Sequence, residues 1–106
     1  MAKTAAELYE ERKKRVLDAI ALKVPDRVPL YMPISAFGAK YSGITMKEAF
    51  ENAPKWHEIN EKLLLEYQPD SYMGPLIYDT GTNTVLGTKL YKWPGNGIDE
   101  NTVCRW

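Results

Sequence analysis

One cysteine, Cys104, stands in 106 residues, which excludes an intrachain disulfide and any multi-cysteine zinc site built from this chain alone. A lone thiol fits a reducing compartment, so a cytoplasmic location is the expectation. Histidine is equally scarce, with His57 its one occurrence. An excess of one charge is lacking too: 14 Lys and Arg balance 14 Asp and Glu, interspersed along the chain. Neutralising phosphates takes a basic face, so nucleic acid is not an expected partner. Apolar runs such as Leu63 to Leu65 fall far short of the roughly 20 residues that a membrane span needs. The first residues are charged rather than apolar, so no targeting segment is expected. A phosphate-cradling loop is missing as well. Pro94-Gly95-Asn96-Gly97 has the glycines but neither a following Lys-Ser/Thr nor a helix start, and reads as a tight turn.

What is present begins with helix signals. Thr4-Ala5-Ala6-Glu7 is a capping box, opening a helix that should run to about Lys23, where Pro25 disfavours helical geometry at Val24. Leu8, Val16, Ala19 and Ile20 share a stripe at helical spacing, interrupted by Arg12 and Arg15. Val28 to Met32 is short and rich in strand formers, with Pro29 where only a strand start or edge tolerates it. Ser35 to Gly43 has neither periodicity, and a loop is expected there. Thr45-Met46-Lys47-Glu48 is a second capping box, for a helix to about Asn52. Pro54 suits the first turn of the next helix, which carries Trp56, Ile59, Leu63 and Tyr67 on one face until Gln68-Pro69-Asp70 breaks it. Ser71 to Leu76 reads as a second strand. A short helix ending at Leu86 with Gly87 as its cap should follow, then extended pieces at Lys89 to Trp93 and Thr102 to Trp106. Strands alternating with helices predict parallel pairing and an α/β fold, with too few strands to close a barrel.

Four pieces occur in a telling order: Arg12-Lys13-Lys14-Arg15-Val16-Leu17, Pro25-Asp26-Arg27-Val28-Pro29, Gln68-Pro69-Asp70 and Trp93-Pro94-Gly95-Asn96-Gly97. Together they span most of the chain, which resembles the N-terminal portion of the uroporphyrinogen decarboxylase superfamily. The resemblance implies a (β/α)8 TIM barrel, of which residues 1–106 form one incomplete domain segment, since a whole barrel takes about 250 residues. An open strand edge and helix face are then expected, and with them a homo-oligomer.

Two chemistries are implied by the family. Its decarboxylases follow the first strand with Met-Arg-Gln-Ala-Gly-Arg, whose arginines bind the many carboxylates of the porphyrinogen. Here the stretch is Met32-Pro33-Ile34-Ser35-Ala36-Phe37, with Pro33 and Phe37 where the arginines would stand. The family's aspartate at the end of the second strand falls near Ile77, and the nearest acid is Asp79, two positions late. No catalytic residue is therefore assigned. The replacement lining is apolar and aromatic: Tyr31, Met32 and Phe37, with Tyr41 nearby and Tyr72 and Met73 on the second strand. Such a lining suits a small, weakly charged ligand, and Tyr31, Met32, Phe37, Tyr72 and Met73 are the candidate substrate-binding residues.

The chain thus looks closer to the branch that passes a methyl group between a small methylated compound, or coenzyme M, and a corrinoid protein. That branch often uses a zinc whose ligands come from later strands, so no metal or cofactor ligand is assigned within residues 1–106. One alternative is uroporphyrinogen decarboxylation, with anion contacts moved to Arg27 and Lys40. Another is a noncatalytic fragment or binding module that oligomerises. Each candidate also has a plainer use. Tyr31, Met32, Tyr72 and Met73 are residue types that commonly serve packing. Arg27 beside Asp26 reads as a surface ion pair, His57 as part of an outer polar helix face, and Cys104 as a small buried side chain.

Overall fold

A computed structural model describes residues 2–74 and 80–103. Helix α1 (Ala5–Ile20) starts at its capping box: the Thr4 amide donates to Glu7 Oε2 at 2.7 Å, and the Glu7 amide donates to Thr4 Oγ1 at 3.3 Å. It ends three residues before the predicted Lys23. The Leu22 amide bonds to the Ala19 carbonyl and the Lys23 amide to the Asp18 carbonyl, the Schellman arrangement that places the residue after the cap in the left-handed region. That residue is Leu22, at φ +57°.

Strand β1 (Tyr31–Pro33) pairs in parallel with β2 (Ser71–Met73), so the expected parallel α/β arrangement is present. The register sets Tyr31 beside Ser71, Met32 beside Tyr72 and Pro33 beside Met73. β1 begins later than the predicted Val28 because a side chain takes over the pairing at Leu30. The Leu30 amide donates to the Asp70 carboxylate at 2.7 Å, while the Leu30 carbonyl accepts from the Asp70 and Ser71 amides. The distal part of the predicted second strand, from Pro75, lies outside the described residues.

Three helices make the crossover: α2 (Ala36–Ser42), α3 (Met46–Glu51) and α4 (Ala53–Tyr67). Helix α2 replaces the loop expected between Ser35 and Gly43. Ser35 caps its start, and Gly43 closes it at φ +73°. The buried face of α2 is Gly38 and Ala39, small residues that leave no apolar periodicity to read. Gly38 lies so close to α4 that a Cβ there would meet Trp56 at 3.1 Å and Leu63 at 3.4 Å, as well as Ile34 at 3.0 Å. Thr45 caps α3 by accepting from the Glu48 amide, and a proline occupies the first turn of α4, both as expected.

The core sits among these helices. Ile34, Ala39, Met46, Ala49, Phe50, Trp56, Ile59 and Leu63 are buried together, with Trp93 reaching in from the C-terminal segment to set its ring at a tilt against Phe50, 5.8 Å between centroids. Tyr67, expected on the buried face of α4, is half exposed. Helix α5 (Thr80–Val85) precedes Gly87, which has φ +64°. Over Lys89 to Trp93 Lys92 takes a bridge position, and Pro94 and Ile98 make an isolated bridge around the expected turn, with the Gly95 amide bonded to the Ile98 carbonyl. Thr102 ends a turn from Asp99, and the rest of the predicted extended segment, from Cys104, lies outside the described residues. Cys104, and with it the reading of a small buried thiol, lies outside the described residues. Among those described, no helix is long and apolar enough to cross a membrane.

Candidate functional site

Alternation along a strand sends successive side chains to opposite faces, and this divides the five candidate residues. Met32 and Tyr72 are register partners on one face. Met32 packs against the helical core, while Tyr72 lines a groove of about 420 Å³ with Tyr9, Val16 and Leu17 of α1 and Leu64 of α4. Tyr31 and Met73 point to the other face, diagonal to each other, and are 49% and 44% exposed. Phe37 joins neither pair. It lies on α2 in a ring cluster with Tyr41 and Tyr67, centroids 5.3 and 6.5 Å away. In that cluster the Tyr41 hydroxyl donates to Glu66 at 2.6 Å, a bond to a carboxylate that pushes the phenol pKa up. The candidates therefore occupy three places, and Tyr31, Met73, Tyr72 and Phe37 all present part of their surface to solvent, while Met32 is half-buried.

At the opposite ends of the strands lies a group that the sequence reading did not assemble. Arg15, 4% exposed, projects from α1 at the position where it interrupts the apolar stripe. Its Nε and Nη2 donate to the two Asp26 oxygens at 2.7 and 2.6 Å, Nη2 also reaches Glu11 at 2.9 Å, and Nη1 bonds to Asp70. The Asp70 side chain is fully buried. It accepts a forked pair from Arg27, both at 2.8 Å, and the Leu30 amide at 2.7 Å. Asp26 and Arg27, expected to pair with each other, are each drawn to a different partner. Three of the four segments that carry the family resemblance meet in this one network.

Electrostatics fixes the protonation of the network. The bonds from Arg15 hold the Asp26 carboxyl down at about 2. Burial works against the charge on Asp70, yet the Leu30 amide and the two guanidiniums keep its carboxyl below the usual range. The bonds to Asp26 raise the Arg15 pKa, with Asp70 and Glu11 adding to them against burial. A carboxylate held this way is ionised and fully engaged at neutral pH, so it serves to position the strand starts rather than to move a proton. The available signal was Arg15 itself, a charged residue on an apolar stripe, which must find a buried counter-charge.

The remaining candidates stand apart. His57 is exposed on α4 and Lys40 is exposed on α2. Among the described residues no three His, Cys, Asp or Glu side chains come together to hold a metal ion, so none is assigned as a zinc ligand. Asp79 lies outside the described residues. Comparison with protein-family models, with curated proteins and with solved structures found no match to this chain.

Proposed function

We propose that this chain is the N-terminal part of a uroporphyrinogen decarboxylase-like (β/α)8 barrel that transfers a methyl group between a small methylated compound, or coenzyme M, and a corrinoid protein. The parallel strands joined through helices are compatible with the first turns of such a barrel. An ion network at the N-terminal ends of the strands fits the stabilising face of barrels, and the active-site face is the other one.

The observation that carries the choice of chemistry is where the guanidiniums lie. Arg15 and Arg27 are bound to Asp26 and Asp70 before the strands begin, while the downstream end of β1 carries Pro33 and leads to Phe37 on α2. Among the described residues a polycarboxylate would meet no forked donor there. A small ligand would meet the ring of Tyr31 and the thioether of Met73, groups that exclude water and leave one hydroxyl to orient it. The chain's own part is thus to seat and desolvate the methyl-bearing compound, while the corrinoid protein supplies the cobalt that exchanges the methyl group.

The test is to incubate the enzyme containing this chain with a reduced corrinoid protein and a set of methylated amines, alcohols and thiols, following the corrinoid absorbance. Uroporphyrinogen is assayed in parallel for release of carbon dioxide. Methyl transfer without decarboxylation is the expected result. Carbon dioxide release without methyl transfer would restore the decarboxylase reading, and neither activity would leave a noncatalytic module.

A further inference from the structure

We propose that Phe37, Tyr41, Tyr67 and Glu66 form a binding site for a small quaternary ammonium compound. The site is built from α2 and α4 rather than from the strands, and it does not rest on the methyl-transfer reading.

Three rings meet there. Phe37 and Tyr41 lie one turn apart on α2 with centroids 5.3 Å from each other, and Tyr67, at the end of α4, stands 6.5 and 6.2 Å from them. The planes of Phe37 and Tyr41 differ by 37°, whereas Tyr67 crosses them at 68 and 65°, as a wall meets a floor. A cation held about 4 Å above the middle of this triangle is roughly 5 Å from every centroid, inside the roughly 6 Å over which a ring face attracts positive charge. None of the rings belongs to the buried core, and they are 48, 48 and 44% exposed. Their surfaces are thus available to a ligand.

Charge selects that ligand. The Tyr41 hydroxyl donates to Glu66 Oε1 at 2.6 Å, which fixes a carboxylate at the margin of the rings. Among the described residues no cationic side chain lies within ion-pair distance of Glu66. Lys62, one turn back on α4, and Lys40, next to Tyr41, are exposed and do not reach it, and Arg12 ends on Gln68 at 3.4 Å. Glu66 also stands in the last turn of α4, which contains no basic residue. The carbonyl end of a helix carries partial negative charge, so carboxylate and dipole share one sign at one spot. A bound cation relieves both.

The same features favour a methylated ammonium over a primary one. A primary ammonium brings donors that need acceptors, and here Oε1 is already engaged by Tyr41 while the rest of the site is ring surface. A quaternary ammonium has no donors and sets its methyl groups against ring faces, the way aromatic cages recognise such cations. Three side chains and a carboxylate are the footprint of one head group, far less than a protein partner covers.

Ligand-observed NMR on the full protein is the test, with choline and, separately, 3,3-dimethylbutan-1-ol, which has the same shape without the charge. Choline is expected to bind with a Kd on the order of 1 mM and its methyl protons to shift upfield, with the neutral alcohol at least about 10-fold weaker. The double variant Phe37→Leu/Tyr67→Leu should weaken choline about 10-fold. Glu66→Gln, which still accepts from Tyr41, should weaken choline about 3-fold and leave the alcohol unchanged. The fluorescence of Trp56 and Trp93 reports the fold, and Glu66→Gln decides the matter should the double variant unfold. Choline that does not bind at tens of millimolar overturns the proposal, as does equal binding of the alcohol or binding indifferent to the folded variants. A trimethyl-lysine peptide that binds more tightly than choline also overturns it, assigning the site to a modified protein instead.

Discussion

Replacing Asp70 by Asn keeps the shape of the side chain and removes its charge. The Leu30 amide can still donate to the remaining carbonyl oxygen, but Arg15 and Arg27 lose their shared anion. Removing one partner of a buried ion pair costs about 3–5 kcal/mol, because a desolvated charge is left behind. The lower end applies here, since Arg15 keeps Asp26 and Glu11, and Arg27 is half exposed and can turn to water. A loss of about 3 kcal/mol is a large part of the 5–15 kcal/mol that holds a typical domain together. With a urea dependence near 1.5 kcal/mol per molar, the unfolding midpoint falls by roughly 2 M. Urea titration followed by the fluorescence of Trp56 and Trp93 reads the shift. Arg27→Ala is the control, expected to change the midpoint far less because its pairing is screened by solvent. A change below about 1 kcal/mol for Asp70→Asn would refute the reasoning, showing that the network rests on its other members rather than on the buried carboxylate.

The same network sets the acid limit of the fold. Asp26 falls from 3.8 to about 2 on folding, and Asp70 is also lowered. Depressed carboxyls contribute stability that is complete above their unfolded values and disappears as pH drops through the folded ones. Urea midpoints should therefore hold level above about pH 5, decline from about pH 4 toward 2, and decline less steeply in Asp70→Asn. An equal acid slope in the variant would show that Asp70 contributes nothing to it. At Gly38 two effects compete. Alanine relieves the chain-entropy cost of a helical glycine by up to about 1 kcal/mol, yet its Cβ would sit 3.0 to 3.4 Å from Ile34, Trp56 and Leu63. Overpacking costs about 1–3 kcal/mol, so Gly38→Ala is expected to destabilise, and a raised urea midpoint would contradict the tight contact between α2 and α4.

The helices with local signals were legible. Thr4 and Thr45 announced α1 and α3 through residues three positions away, and Pro54 with Trp56, Ile59 and Leu63 announced α4 and its buried face. Helix α2 was not, because Gly38 and Ala39 bury themselves by smallness and glycine reads as a loop former. The ion network was hidden for another reason. Arg15 meets partners 11 and 55 residues away, and no periodicity encodes a contact of that range. The candidate site was legible only as a set of residue types. Strand alternation already separates Tyr31 and Met73 from Met32 and Tyr72, whereas the position of Phe37 depended on the unread helix.

Asp70 joins places that lie 40 and 55 residues back along the chain, so it can engage only after a long loop has closed. Closing that loop has its own entropic toll, whereas α2, α3 and α4 find one another over short separations. The helical cluster can thus take shape first, with the carboxylate arriving afterwards as a latch that locks the two strands in register.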